Sequence, residues 1–205
     1  MNYKQYDYGI QGEWPNRPRR RSTGWIILHR ITVGEGIPGI VDFFRNDPEG
    51  VATVTIGSLE KRLDAIRDWR SGGVPVWARR RSFVPYNFLV DRNGEIGMMM
   101  DVNAMGAHCA GFNSHSVGVG VVGDFRKREP SAPQKLGVKK LCRNLIRKYS
   151  KELDETNPIM THDDARRQRG QKKKNCPGPL FPVDDVASWA VNASKIMSLD
   201  PSERW

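Results

Sequence analysis

The stretch Trp25-Ile26-Ile27-Leu28-His29 is an apolar run that ends in a histidine, and it predicts the first buried strand of the chain. A second such run, Pro158-Ile159-Met160-Thr161-His162, predicts another strand with a histidine at its end. Cys176 follows in a turn, Lys174-Asn175-Cys176-Pro177-Gly178. Two imidazoles and one thiolate suffice to hold a zinc ion with one open position. His29, His162 and Cys176 are therefore the candidate metal ligands.

Taken singly, each candidate ligand also has a purely structural interpretation. A histidine at the end of an apolar strand is often a satisfied core residue, and a lone cysteine is usually a small buried hydrophobe. The conjunction of the three favours a metal site. Lys172, Lys173 and Lys174 precede Cys176, and such a positive field is expected to lower the pKa of its thiol. Cys142, on the apolar face of a predicted helix, and Cys109 have weaker claims.

Outward from these runs, the chain alternates predicted strands and helices. Further strands are expected at 86–90, 95–100 and 116–122, and the Asn-Gly pair in Asp91-Arg92-Asn93-Gly94 predicts a hairpin between the first two. Apolar residues at helical spacing predict helices at about 58–70, 134–150 and 183–198. Loops are expected at 34–39 and in the basic segment 165–174. This pattern indicates an α/β fold.

Length and composition indicate one basic domain. The chain has 205 residues, and its 33 Lys+Arg against 23 Asp+Glu give a net charge of +10. Such a charge favours polyanionic partners, namely nucleic acid, an anionic membrane surface or an acidic cell wall. The polar first residues predict no signal peptide, no apolar run is long enough to span a bilayer, and three cysteines suggest no disulfide framework. We expect synthesis in a reducing cytoplasm.

Several sequence blocks resemble the type 2 N-acetylmuramoyl-L-alanine amidases, a family that includes phage endolysins and peptidoglycan recognition proteins. The blocks occur in family order and extend over roughly residues 25–182. They are Ile26-Ile27-Leu28-His29-Arg30, Val84-Pro85-Tyr86-Asn87-Phe88-Leu89-Val90, Met105-Gly106-Ala107-His108, Gly111-Phe112-Asn113, Ser116-Val117-Gly118-Val119, Val122-Gly123-Asp124-Phe125, Thr161-His162-Asp163-Asp164 and Lys174-Asn175-Cys176-Pro177-Gly178.

The resemblance implies a fold and a reaction. The fold would be a single α/β domain with a central mixed β-sheet, about three flanking helices and one zinc ion in a groove on one side of the sheet. The reaction would be zinc-dependent hydrolysis of the lactyl-amide bond between N-acetylmuramic acid and L-alanine in peptidoglycan. A phage-type endolysin is the form that the resemblance favours.

The resemblance also implies roles for individual residues. His29, His162 and Cys176 would bind the zinc ion, Tyr86 would be catalytic, and Lys174 would be its cationic partner. The segment before Cys176 is longer and more basic than is usual, so Lys172 or Lys173 could stand in the place of Lys174. His108 and Asn113 are expected to contact substrate.

Two features of the central strand restrict the interpretation. One branch of the family has a glutamate base where this chain has Gly120, so the chain resembles the branch that relies on tyrosine and lysine. The run Gly118-Val119-Gly120-Val121-Val122-Gly123 fits a dinucleotide-binding G-x-G-x-x-G pattern. A dinucleotide site needs that pattern between a strand and a helix, whereas here it lies within a β-branched run.

The predicted organisation is a basic extended arm at 1–24, a catalytic domain at 25–198 and a tail at 199–205. The expected protein is a monomer that is made in a host cytoplasm, acts on the bacterial cell wall and makes electrostatic contact with an anionic envelope. One alternative is a non-catalytic peptidoglycan-binding module of the same fold, although binding-only members typically lack the ligand cysteine. A nucleic-acid-binding protein is the other, but no interleaved basic and aromatic motif supports it.

Overall fold

The computed structural model describes residues 4–5, 22–32, 85–99, 101–154 and 156–196. The predicted loop at 34–39, the predicted helix at 58–70, nearly all of the predicted arm and the tail at 199–205 lie outside the described residues. No helix in the described segments combines the length and the apolar character that a membrane span requires.

A six-stranded mixed sheet organises the described residues. Its strands are β1 (Lys4–Gln5), β2 (Trp25–Ile31), β3 (Phe88–Val90), β4 (Ile96–Met98), β5 (Ser116–Val122) and β6 (Ile159–Thr161), in the order β1-β4-β3-β5-β2-β6. β2 is parallel to both β5 and β6, β3 is parallel to β5, and β4 is antiparallel to β3. The predicted mixed sheet and the hairpin at Asn93-Gly94 are thus confirmed, with Gly94 at φ +84°.

The central strand β5 is buried along its whole length, and two glycines make that possible. A Cβ atom on Gly118 would lie 2.5 Å from the ring of His108, and one on Gly120 would lie 2.3 Å from Cδ1 of Ile31. The glycines of the G-x-G-x-x-G pattern therefore serve close packing within a strand. No helix begins directly after them, as a dinucleotide site would require.

Two helices cover one face of the sheet. α1 (Ala132–Lys148) is capped by Ser131, and α3 (Val183–Ile196) packs beside it, with Lys139 and Asp185 joined by a 2.9 Å ion pair. The helices predicted at 134–150 and 183–198 are confirmed to within two residues over the described range. The core on this face comprises Ile26, Leu28, Val119, Leu141, Leu145, Val186 and Ala190, among others.

On the opposite face a short helix, α2 (His162–Gln168), corrects the predicted basic loop at 165–174. Thr161 caps it: Thr161 Oγ1 accepts from the N–H of Asp164, and the Asp164 carboxylate accepts from the N–H of Thr161. This capping box gives the helix a defined start despite the basic residues that follow. The strand predicted at 158–162 was also one residue too long at each end, because β6 begins at Ile159 and His162 begins α2.

Candidate metal centre

Three candidate ligands, separated widely in sequence, meet on the α2 face of the sheet. His29 lies in β2 on the same face as Ile27, His162 is the first residue of α2, and Cys176 is in the loop that follows α2. One ligand atom from each lies within 4.8 Å of the others. His29 Nδ1 is 4.0 Å from Cys176 Sγ, and the two imidazole ring centroids are 4.6 Å apart. All three residues are buried.

Backbone hydrogen bonds hold the cysteine loop in place. The N–H of Asp163 donates to the carbonyl of Cys176 at 3.1 Å, and the Asp163 carboxylate accepts from the N–H of Lys174 at 2.8 Å. The Arg30 guanidinium donates to the carbonyl oxygens of Pro177 and Lys174, each at 3.5 Å. The residues adjacent to two of the candidate ligands, Arg30 and Asp163, thus fix the position of the third.

Gly178 completes this loop for a steric reason. It has φ +126°, and a Cβ atom there would lie 2.6 Å from the backbone of Phe125. Only glycine combines that conformation with so close an approach. The Pro-Gly pair after Cys176 therefore locks the loop against the segment that follows β5.

Burial sets the protonation state of the three candidate ligands. It lowers the pKa of His29 well below its ordinary value and that of His162 to about 4, with the charge of Lys174 the second cause for His162. Both imidazoles are therefore neutral at pH 7, as metal ligands must be. Burial also raises the pKa of the Cys176 thiol to about 11, while Arg30 and Lys174 act in the opposite direction.

The prediction that neighbouring lysines lower the pKa of Cys176 was therefore wrong in its net direction. The charge of Lys174 does lower the pKa of the thiol, but burial of the thiol away from water raises that pKa by more. Lys172 and Lys173 are exposed, where solvent screens their charges. A metal ion at this site would have to displace the thiol proton.

The donor set and its spacing fit a zinc ion. Tetrahedral coordination, with Zn–N of about 2.0–2.1 Å and Zn–S of about 2.3 Å, places neighbouring ligand atoms about 3.3–3.6 Å apart. The 4.0 Å separation of His29 Nδ1 and Cys176 Sγ is a few tenths of an ångström longer than this, and all three ligand atoms lie within 4.8 Å of one another, so coordination would draw the set together. Two neutral nitrogens and one sulfur leave the fourth position open for water or substrate, as in catalytic zinc sites.

Zinc binding is expected to release about one proton per ion near neutral pH, because the thiol is protonated and both imidazoles are already neutral. The apparent affinity should rise about tenfold per pH unit between about pH 6 and pH 8, since the thiolate fraction grows tenfold with each unit below its pKa. Calorimetry in buffers of different ionisation enthalpy measures the proton count. A pH-independent affinity would contradict this account of the site.

Tyr86 and Lys174 lie beside the three candidate ligands. The ring of Tyr86 is buried, 5.0 Å from that of His29, in the segment just before β3; the predicted strand at 86–90 thus begins two residues later. The backbone on either side of it is anchored, since the carbonyl of Pro85 accepts from the N–H of Ala107 and the N–H of Asn87 donates to the carbonyl of Gly118.

Among the three consecutive lysines, Lys174 has the closest relation to the site. It is half-buried, and its charge lowers the pKa of both His162 and Cys176. Lys172 and Lys173 are exposed, so solvent screens their charges. These observations favour Lys174 over its two neighbours as the cation of the site.

His108 lies directly behind His29, whereas Asn113 contacts the backbone of Cys109. His108 is 3% exposed, and its Nδ1 is 3.1 Å from Nε2 of His29. Asn113 begins a short 3₁₀ helix, and its side-chain oxygen accepts from the N–H of Cys109 at 2.7 Å. Substrate contact by either residue stays a prediction. Sequence reasoning missed the contact between His108 and His29, and likewise the anchoring by Arg30 and Asp163.

Comparison with known proteins gives one family match and one curated relative. The family model for N-acetylmuramoyl-L-alanine amidase matches residues 49–179, which include His162 and Cys176 and begin after His29. Peptidoglycan-recognition protein 2 of Holotrichia diomphalia is 34% identical over 106 residues. That match takes in 52% of each protein, so the chain spans about half the length of this curated relative.

Solved structures share the fold at low sequence identity. The amidase endolysin LysCS of Clostridium intestinale URNW is 18% identical, with a TM-score of 0.56 over 91% of this chain and 93% of that one. The Ph2119 endolysin of a Thermus scotoductus MAT2119 bacteriophage is 20% identical, with a TM-score of 0.55 over 89% and 93%. Drosophila PGRP-LB is 19% identical, with a TM-score of 0.55 over 93% and 95%.

Proposed function

Because the chain belongs to the N-acetylmuramoyl-L-alanine amidase family, we propose that it is a zinc-dependent hydrolase of peptidoglycan. The bond cleaved is the amide between the lactyl group of N-acetylmuramic acid and the first L-alanine of the stem peptide. The observation that carries this proposal is the convergence of His29, His162 and Cys176 beside Tyr86. A binding-only protein has no need of three ligands with an open fourth position.

The ligand set supports hydrolysis at neutral pH. A zinc ion held by His29, His162 and Cys176 would polarise a carbonyl and activate water without an external base. The residues themselves supply neutral imidazoles and a thiol that loses its proton on binding. Hydrogen bonds from Asp163 and Arg30 hold the loop that carries Cys176, so its sulfur lies near the two imidazoles without any large change in the fold.

Tyr86 and Lys174 would act on the scissile amide. Burial, followed by the thiolate form of Cys176, raises the pKa of Tyr86 well above its usual range, so its hydroxyl keeps its proton at neutral pH. A protonated phenol can donate to the carbonyl oxygen, where negative charge develops, or to the leaving amine. The ammonium group of Lys174 adds a fixed positive charge next to the ligands.

We also propose that the enzyme is of the phage endolysin type, is made in a host cytoplasm and works on the cell wall as a monomer. The shared fold with the Ph2119 endolysin supports the endolysin type. The net charge of +10 and the exposed Lys172 and Lys173 suit electrostatic contact with an anionic envelope. Nearby arginines have intramolecular partners: Arg166 donates to the carbonyl of Lys172, and Arg169 donates to that of Ala110.

An assay on purified sacculi tests the proposal. The native, chelator-treated and zinc-restored proteins are compared, and the released fragments are identified by mass spectrometry. We expect free stem peptides with an L-alanine amino terminus, loss of release on chelation, and recovery with zinc. Glycan fragments with intact stems would show a different bond specificity and contradict the proposal.

Binding without cleavage is the outcome that favours the alternative, a non-catalytic peptidoglycan-binding module. The zinc-loaded protein would then sediment with sacculi and release no peptide. The relative from Holotrichia diomphalia is named a recognition protein, which gives this alternative its specific support. Salt-sensitive affinity for DNA that is unchanged by chelation would instead support nucleic-acid binding.

A further inference from the structure

A buried histidine outside the proposed ligand set contacts one of the proposed ligands directly. Nδ1 of His108 lies 3.1 Å from Nε2 of His29, with the two rings nearly perpendicular at 84°. His29 therefore has one nitrogen engaged behind the site, and its other nitrogen, Nδ1, faces Cys176 Sγ at 4.0 Å. Only Nδ1 of His29 is placed to bind a metal ion that Cys176 also binds.

The hydrogen-bond chain behind His29 favours one arrangement of protons on the two imidazoles. Ser116 Oγ donates to the carbonyl of Phe112 at 2.7 Å, so its lone pairs are left to accept from Nε2 of His108 at 3.5 Å. His108 then carries its proton on Nε2, and its Nδ1 accepts from Nε2–H of His29. Nδ1 of His29 is left unprotonated, which is the form that binds a metal ion.

Glycines and one asparagine hold the ring of His108 in this place. Cβ atoms on Gly106 and Gly118 would lie 2.8 Å and 2.5 Å from the His108 ring, so both positions need to lack a side chain. Asn87, fully buried, donates to the carbonyls of Asp101 and Ala104 and accepts from the N–H of Gly118. The segment that leads to His108 is thereby tied to β5.

We infer that His108 is a positioning residue that fixes the ring orientation and tautomer of His29, so that His29 Nδ1 faces the metal. The inference rests on the proposed metal site and gives His108 a task other than substrate contact. Its Nδ1 contacts His29 and its Nε2 contacts Ser116, so both ring nitrogens have partners within the protein. Outer partners of this kind contribute roughly 10–100-fold to metal affinity.

Zinc affinity, measured by competition with a chromophoric chelator, tests the inference through three variants. His108→Leu removes the acceptor and should weaken zinc binding about 10–100-fold. In His108→Asn, the side-chain oxygen can take the place of Nδ1, so we expect affinity within about threefold of the native protein. His115→Leu is the matched control, because His115 contacts Trp25 and Phe112 outside the ligand cluster and should not alter affinity.

Tautomer assignment by ¹⁵N NMR gives a second readout that requires no variant. In the metal-free native protein, His29 should carry its proton on Nε2 and none on Nδ1, and in the zinc-loaded protein Nδ1 should be the coordinated atom. Coordination through Nε2, or a His108→Leu affinity within twofold of native, would overturn the inference. If either of these results occurs in a protein that still cleaves peptidoglycan, the inference about His108 fails and the proposed function stands. If the tautomer is as expected but the zinc-loaded protein cleaves nothing, the proposed function fails and the inference stands.

Discussion

Cys176→Ser is expected to abolish both stable zinc binding and amidase activity. A serine hydroxyl at neutral pH is a poor zinc ligand, and two imidazoles alone do not complete a catalytic site. The loss of affinity should exceed the roughly 10–100-fold effect of removing an outer-shell partner. Because the loop is held by backbone bonds from Asp163 and by Arg30, the metal-free fold should survive the substitution.

The measurement pairs zinc affinity with stem-peptide release from sacculi. Cys142→Ser is the matched control, since Cys142 is fully buried in the core on the α1 face. It should lower stability while leaving the number of bound zinc ions and the activity of the folded protein unchanged. If Cys176→Ser kept native zinc affinity, the assigned ligand set would be wrong and the metal would have to bind elsewhere.

The same variant separates catalysis from recognition. If the surface around the candidate ligands binds peptidoglycan without the metal, Cys176→Ser should still sediment with sacculi while releasing nothing. Loss of sedimentation together with activity would instead mean that the metal contributes to substrate binding. Either pattern is readable only because the cysteine loop is anchored independently of zinc.

The elements that could be predicted from the sequence are those determined by residues close together in the chain. β5 was predicted at its observed bounds because a β-branched run with small glycines has no competing helical pattern. The hairpin at Gly94 followed from two adjacent residues. α2 was missed because its basic residues resemble a loop, although its capping signal, Thr161 followed by Asp164, was present in the sequence.

The candidate site shows the same division between local and tertiary causes. The convergence of His29, His162 and Cys176 could be predicted because each residue has its own sequence context. The bond between His29 and His108 joins residues 79 positions apart and depends on the register of β5. The upward shift in the pKa of Cys176 comes from burial, which only the tertiary fold determines.

Tyr86→Phe is expected to reduce amidase turnover by about 10²–10⁴-fold, the range that a positioned proton donor contributes. Zinc affinity should not change, because the proposed ligands are His29, His162 and Cys176. The loss should fall on kcat more than on KM if the hydroxyl acts only as charge develops in the transition state. Steady-state kinetics on a soluble muropeptide give kcat and KM, and a parallel titration gives the zinc affinity.

Tyr149→Phe is the matched control, since it removes a buried hydroxyl that bonds to the carbonyl of Val102 and the side chain of Asn103, away from the site. It should cost about 1 kcal/mol of stability, as loss of a typical hydrogen bond does, and leave kcat unchanged. If Tyr86→Phe also left kcat unchanged, its ring would serve only to pack against His29. Lys174 would then be the remaining candidate for stabilising the developing charge, and its half-buried position near His162 makes it the next residue to substitute.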